Sequence, residues 1–221
     1  MQQIFENYFN LQVLKAAFPD VLAGFWVTVR AAVLIIAMGV SGGLGLALLR
    51  CLRNRLLDAA IRFYVEIFRT LPQLVVLIFI YFGLPYAGIR FSAFLSTVIA
   101  LSAVLAAFSA EIFWAAIAAV PVGQWEAASA LGFRRSQALF LFILPQAIRL
   151  ALPLVTNRTI AITKGTAFGI AVSLQETLGS AQSVMSIKAN SSPLTLAAGF
   201  YLLFFIPLVM FSRYLERHFS H

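Results

Sequence analysis

Residues 91–110 read FSAFLSTVIALSAVLAAFSA, a run without an Asp, Glu, Lys or Arg. A helix needs about 20 mainly apolar residues to cross a hydrocarbon core roughly 30 Å thick, so this stretch predicts a membrane span. Three further charge-free runs lie on either side of it, Ala31–Leu49, Leu71–Ile89 and Ala189–Ser212. A fifth, Gln137–Thr163, is apolar but holds Arg149 and Arg158 together with Pro145 and Pro153, and reads as a broken or partly sheltered span. The composition agrees: 62% of the 221 residues are hydrophobic, 11% are charged and the mean hydropathy is +0.93. Soluble domains hold about 45–50% apolar residues and could not hide this much apolar surface. The expected fold is therefore an all-α integral membrane protein with five spans. It forms one domain over 1–221, with its core over 21–216. The segment before Asp20 is too polar to be a signal peptide.

The charges set the orientation. Lys and Arg number 16 against 8 Asp and Glu, a formal charge of +8 that in a soluble chain would raise the question of nucleic acid. Here the basic residues are sorted by loop. One side carries nine: Arg50, Arg53, Arg55, Arg62, Arg69, Arg134, Arg135, Arg213 and Arg217. The other carries three: Lys15, Arg90 and Lys188. By the excess of positive charge on cytoplasmic loops, the N-terminus is expected outside and the C-terminus in the cytoplasm. No nucleic-acid partner is expected, and membrane lipid is the surrounding medium.

Enzyme chemistry finds little to work with. Cys51 is the only cysteine, which excludes an internal disulfide and a thiolate metal cluster. His218 and His221 sit together in the polar tail, so neither a metal site nor a catalytic residue is expected. No Gly-x-x-x-x-Gly-Lys-Ser/Thr phosphate loop occurs, and Gly42-Gly43 lies in a span without the lysine. The Gly39-x-x-x-Gly43 and Ser41-x-x-x-Gly45 pairs form a small-residue stripe suited to close helix packing.

The stretch from about 121 to 145, between spans three and four, is too structured for a linker. Pro121 and Gly123 break the preceding helix, Gln124–Leu131 is a strong helix former, and Gly132 is a stop. A second helical stretch is expected from about Arg135 to Leu144, ending near Pro145. Such a helix-turn-helix either docks its small-residue face in another protein's groove or lies along the headgroups as an interfacial helix.

Glu126-Ala127-Ala128, then Gly132, then Ile143-Leu144-Pro145 resembles the EAA loop of ABC importer permeases, whose pattern is Glu-Ala-Ala, three residues, Gly, nine residues, Ile-x-Leu-Pro. Phe142 stands where that pattern has isoleucine. Trp26–Arg30, Tyr64–Arg69, Ile80–Pro85, Ala110–Phe113 and Leu144–Ala147 are similar to further segments of the polar amino-acid uptake branch, in the same order. The resemblance implies two permease subunits, alike or different, forming the pathway in a bacterial inner membrane. It implies two cytoplasmic ATP-binding cassette subunits, each gripping one EAA loop and holding the ATP and magnesium that this chain lacks. It also implies an extracytoplasmic solute-binding protein that delivers the amino acid. On that reading Glu126 is the charged contact, Ala127 and Ala128 permit close approach, Gly132 turns the chain, and Leu144 and Pro145 close the motif.

An ionisable side chain deep in a membrane normally faces protein or water, which makes Glu111, Arg158 and Lys164 pathway candidates, and the resemblance adds the surrounding Asn157, Thr163 and Thr166. Glu111 reads more readily as an ion-pair partner, whereas for Lys164 and Arg158 the equal alternative to a pathway role is a snorkelling anchor and a cytoplasmic-side partner of a carboxylate. The family commonly reads Lys-Asp-Thr/Ser-Ser where this chain has Lys164-Gly165-Thr166-Ala167, so the acid is replaced by Gly165. The alternative class is an ion-coupled secondary carrier or a passive pore built from small subunits. A carrier needs buried acids, and only Glu111 approaches that description.

Overall fold

A computed structural model describes residues 2–219, all of whose regular elements are helical. His221 lies outside the described residues. The elements run α1 (Gln2–Tyr8), α2 (Leu11–Arg50), α3 (Arg55–Thr70), α4 (Gln73–Ile78), α5 (Ala93–Ala119), α6 (Val122–Ala130), α7 (Arg135–Ala138), α8 (Leu144–Thr163), α9 (Thr177–Lys188) and α10 (Ser192–Phe219). Four helical stretches are long and apolar enough to cross a membrane, and a fifth crossing is built from a bent pair, Arg55–Thr70 with Gln73–Ala87.

The first span is longer than its charge-free run. α2 has 40 residues, about 60 Å at 1.5 Å per residue, and begins at Leu11 rather than Ala31. Arg30 interrupts the apolar run without interrupting the helix, because its side chain bonds the Trp26 carbonyl at 3.3 Å on the outer surface. The inward stripe of α2 carries small residues: Gly24, Thr28, Ala31, Gly39, Gly43 and Ala47 are all buried. A side chain at Gly39 would run into Leu105, and one at Gly43 into Ser109 and the Ala106 backbone, so α2 and α5 pack almost backbone to backbone. The second expected pair does not take part: Ser41 is exposed, and nothing lies within 4 Å of a Cβ built on Gly45.

The basic loop after span one is a helix. α3 has Ile61 and Val65 against Ala107 and Ala110 of α5 and leaves its arginines outside. It meets the following segment at 108°. Gln73–Ala87 is only about 22 Å long, so the second crossing needs part of α3 as well.

Prolines shape two of the spans in the same way. A π-turn over Phe79–Gly83 precedes Leu84-Pro85, and another over Leu139–Ile143 precedes Leu144-Pro145. Proline offers no N–H and its ring presses on the carbonyl of the previous turn, so one extra residue widens the turn and the helix continues. The helical stretch expected to end near Pro145 accordingly runs on into the fourth span, which is continuous from Arg135 to Val172 and longer than the expected Gln137–Thr163. Its last turns, Lys164–Val172, tighten to a 3-10 helix that ends at Ser173 with φ +61°.

Another helix, α9, is likewise not expected from the sequence. α9 is a short polar helix packed on α2 and α10, and Ala189 in the left-handed region (φ +48°) turns the chain into α10.

Candidate functional site

The segment between spans three and four folds as a sharp helical elbow. The Gly132 N–H donates to Ser129 O at 3.0 Å, and the Phe133 N–H to Ala128 O at 3.1 Å, the paired bonds of a Schellman stop. Gly132 has φ +82° with open space around its Cβ position, so glycine is required by the backbone and not by crowding. Phe133 then meets Phe142 edge to face, ring centroids 5.0 Å apart. The larger ring at 142 is thus accommodated inside this chain, where it braces the elbow.

α6 is anchored on one side and bare on the other. Ala128 is buried, and Trp125 packs against the buried cluster to which Leu139, Ile143 and Ala147 belong. The Gln146 carboxamide donates to Gln124 at 3.5 Å and to the Phe142 carbonyl at 2.7 Å, tying α6 to the fourth span. Gly123, Glu126, Ala127, Ala130 and Leu131 are exposed on the opposite face. Glu126 forms no ion pair among the described residues. Of the two alanines expected to permit close approach, Ala127 faces outward and Ala128 inward. Leu144 is half-buried against the neighbouring core, and Pro145 is exposed beyond the π-turn.

Beneath the elbow lies an ion-pair cluster that joins three helices. Arg50, 8% exposed, donates to Asp58 at 3.0 Å and to Glu111 at 3.4 Å, and its guanidinium lies 4.2 Å from the Trp114 ring centroid. Glu111 is therefore an ion-pair partner, set two turns before the end of α5 at Ala119. Burial pushes the Cys51 thiol up from its ordinary value, partly offset by Arg135 and Arg50.

The pathway candidates are not gathered in one pocket. Asn157, Arg158 and Lys164 are exposed along the fourth span. Arg158 stacks 4.3 Å from the Phe108 centroid instead of pairing with a carboxylate, and Arg69 reaches the same ring at 5.4 Å. Lys164 lies over Phe205 at 5.7 Å, beside a cavity of about 460 Å³ shared with Tyr201. Thr163 and Thr166 are fully buried and spend their hydroxyls on helix carbonyls at 2.8 and 2.9 Å, so neither is open to a solute in this conformation. At Gly165 a Cβ would strike the carboxamide oxygen of Gln73, which is buried and has no hydrogen-bond partner among the described residues. The Gln73 side chain thus fills the space into which an acid at 165 would project.

The best-connected polar residue escaped the sequence reading. Glu176 is fully buried and caps α9, accepting from the Leu178 and Gly179 N–H groups at 2.9 Å. Its other oxygen accepts from Thr28 of α2 at 3.1 Å and Tyr201 of α10 at 2.6 Å. Its one sequence signal is isolation: it is the only acid between Glu126 and Glu216.

A five-crossing helical protein with an exposed, braced elbow between spans three and four defines a membrane permease subunit. Residues 39–221 match the family described as the binding-protein-dependent transport system inner membrane component, and the chain belongs to that family of ABC importer permeases. A probable glutamine ABC transporter permease protein, GlnM of Bacillus subtilis, is 33% identical over 94% of this chain and 97% of its own length. A probable amino-acid ABC transporter permease, YckA of the same organism, is 37% identical over 78% and 76%. A crystal structure of an amino acid ABC transporter with histidines superposes with a TM-score of 0.85 at 30% identity, covering 94% of this chain and 97% of that one. The inward-facing MetNI methionine transporter shares the fold, with a TM-score of 0.66 at 20% identity. The chain is thus a multi-pass component of an inner-membrane importer.

Proposed function

We propose that this permease moves a polar amino acid into the cytoplasm, and that its elbow is the handle through which a separate ATPase drives the spans. The carrying observation is the asymmetry of α6. One face is tied to the fourth span by Trp125, Ala128 and Gln146, while Glu126 and Ala127 stand free on the other. A force applied to the free face is delivered to the Arg135–Val172 span through a stiff turn. Glycine at 132 and the Phe133–Phe142 contact keep that turn from absorbing the motion. Alternating access then follows as rigid-body rocking of the spans.

The partners follow from that division of labour. Two cytoplasmic ATP-binding cassette subunits hold ATP and magnesium and grip the elbows. A second permease subunit, alike or different, completes the pathway, and an extracytoplasmic binding protein supplies the solute. The excess of basic residues on one side, nine against three, supports a cytoplasmic elbow and C-terminus and an outside N-terminus. The amino-acid cargo rests on the relatives named above and on Arg158, Lys164 and Arg69, cations without carboxylate partners among the described residues that suit a carboxylate-bearing solute. The test is to purify the assembly, identify its subunits and screen amino acids with the binding protein for stimulation of ATP hydrolysis. Stimulation by a polar amino acid is the expected result; an assembly lacking an ATPase subunit, or indifferent to every amino acid, overturns the proposal.

A further inference from the structure

Two adjoining cavities open between the end of α2 and the inner face of the elbow, and the function proposed above uses neither. They share Cys51, Arg53, Trp125 and Arg135 in their walls, and the larger encloses about 670 Å³. That is the size of a small-ligand cleft, roughly 300–1,000 Å³. Its two ends differ in chemistry. Leu48, Leu49, Leu139 and Phe140, residues where two spans leave the membrane, form an apolar floor. Arg53, Arg135 and Ser136 form the rim.

The rim charge is uncompensated. Arg50 lines the smaller cavity, but its guanidinium is already engaged by Asp58 and Glu111. Arg53 and Arg135 have no carboxylate within 4.0 Å among the described residues, and no Asp or Glu lines either cavity. The Arg135 guanidinium is held over the Trp125 ring at 4.9 Å, which fixes a cation at the mouth. Arg53 sits in the left-handed region at φ +58°, a conformation uncommon for a residue other than glycine, immediately after α2 ends.

We infer that this cleft holds an anionic phospholipid, its headgroup phosphate between Arg53 and Arg135 and its upper acyl chain against Leu48, Leu49 and Phe140. The apolar floor decides between a lipid and a free anion: inorganic phosphate would satisfy the two cations and leave the floor unfilled. Anionic lipid on the cytoplasmic leaflet is drawn to basic pockets beside span ends. The site sits behind α6, between it and α2, and leaves the Glu126 and Ala127 face clear. A bound lipid therefore wedges the elbow against the first span and tunes how stiffly it follows a force on its outer face.

The test uses the purified full transporter in detergent. Phosphatidylglycerol retention is measured by native mass spectrometry for the wild type, for R53Q/R135Q and for the charge-keeping R53K/R135K. Cys51, which lines both cavities, gives a second readout through its rate of maleimide labelling, followed by mass spectrometry of this chain. The expected result is that phosphatidylglycerol is retained and slows Cys51 labelling, while phosphatidylcholine and inorganic phosphate at equal concentration do neither. R53Q/R135Q should weaken retention roughly tenfold or more, and R53K/R135K should largely keep it. Equal retention by R53Q/R135Q, equal protection by phosphatidylcholine, or protection by inorganic phosphate alone overturns the assignment. So does full protection of Cys51 by the ATPase subunit in lipid-free detergent, which would make the cleft a protein interface.

Discussion

Glu176 shows how one buried carboxylate organises three helices. Removing it leaves the Leu178 and Gly179 N–H groups and the Tyr201 hydroxyl without their acceptor, and takes from Thr28 one of three hydrogen-bond partners, the others being Gly24 and Thr177. Losing a cap costs about 0.5–2 kcal/mol, and each stranded buried donor about 1–3 kcal/mol. Glu176→Ala should therefore lower the melting temperature of the purified transporter by several degrees, and an unchanged melting curve would contradict the hub. The sequence could not disclose this role, because Glu is not a favoured cap residue and its partners lie 148 and 25 positions away. Gly132 was legible for the opposite reason: its function is local, a left-handed residue closing a helix, and needs no distant partner. Cys51 gives a pH test. Its raised pKa means less thiolate at a given pH, so maleimide labelling at pH 8 should be slower than for a free cysteine and should rise steeply only at more alkaline pH. Labelling as fast as free cysteine would show an open thiol.

Among the elements, α2 and α5 form the frame, and their contact separates two small-residue pairs, Gly39/Gly43 and Ser41/Gly45, that look alike in sequence. Gly43→Val places side-chain atoms into Ser109 and the Ala106 backbone and should push the helices apart, with loss of folded transporter after detergent extraction. Gly45→Ala meets nothing and should leave yield and melting temperature unchanged. Size-exclusion profiles of the two variants check both, and equal behaviour would refute the backbone-to-backbone packing. The charge-free runs located four of the crossings, because a single ionised side chain deep in a bilayer costs several kcal/mol and is seldom tolerated, and the Gln137–Thr163 run was found by its apolar content despite Arg149 and Arg158. They misplaced the ends: Arg30 and Glu111 lie inside long helices, one bonded on the outer surface and one paired with Arg50. α3 and α9 were missed because neither is apolar throughout, α3 being amphipathic and α9 polar. Pro145 misled for a related reason, since the π-turn that absorbs it carries no sequence mark of its own.

At the scale of the molecule, the ordered series of motifs from Trp26 to Ala147 carried more than any single one, and the family match over residues 39–221 agrees with it. The solute path was the least legible part: its candidates are spread over α5 and the fourth span, and two of them are buried against their own backbone. In the proposed arrangement the pathway forms between two subunits, and such a path has no single-chain signature. The basic asymmetry predicts that a reporter fused to the C-terminus is cytoplasmic, and an external reporter would invert the membrane orientation. The central claim is that the elbow transmits work. Amino-acid uptake and ATP hydrolysis should be measured together in proteoliposomes holding the complete transporter, with Gly132→Val beside Gly132→Asn. Valine in a left-handed position is strained by about 1–2 kcal/mol, whereas asparagine tolerates it. The account predicts that the valine variant assembles and hydrolyses ATP but loses most of its uptake, while the asparagine variant keeps it. Wild-type uptake by the valine variant, or uptake by the permease with no ATPase attached, would contradict it.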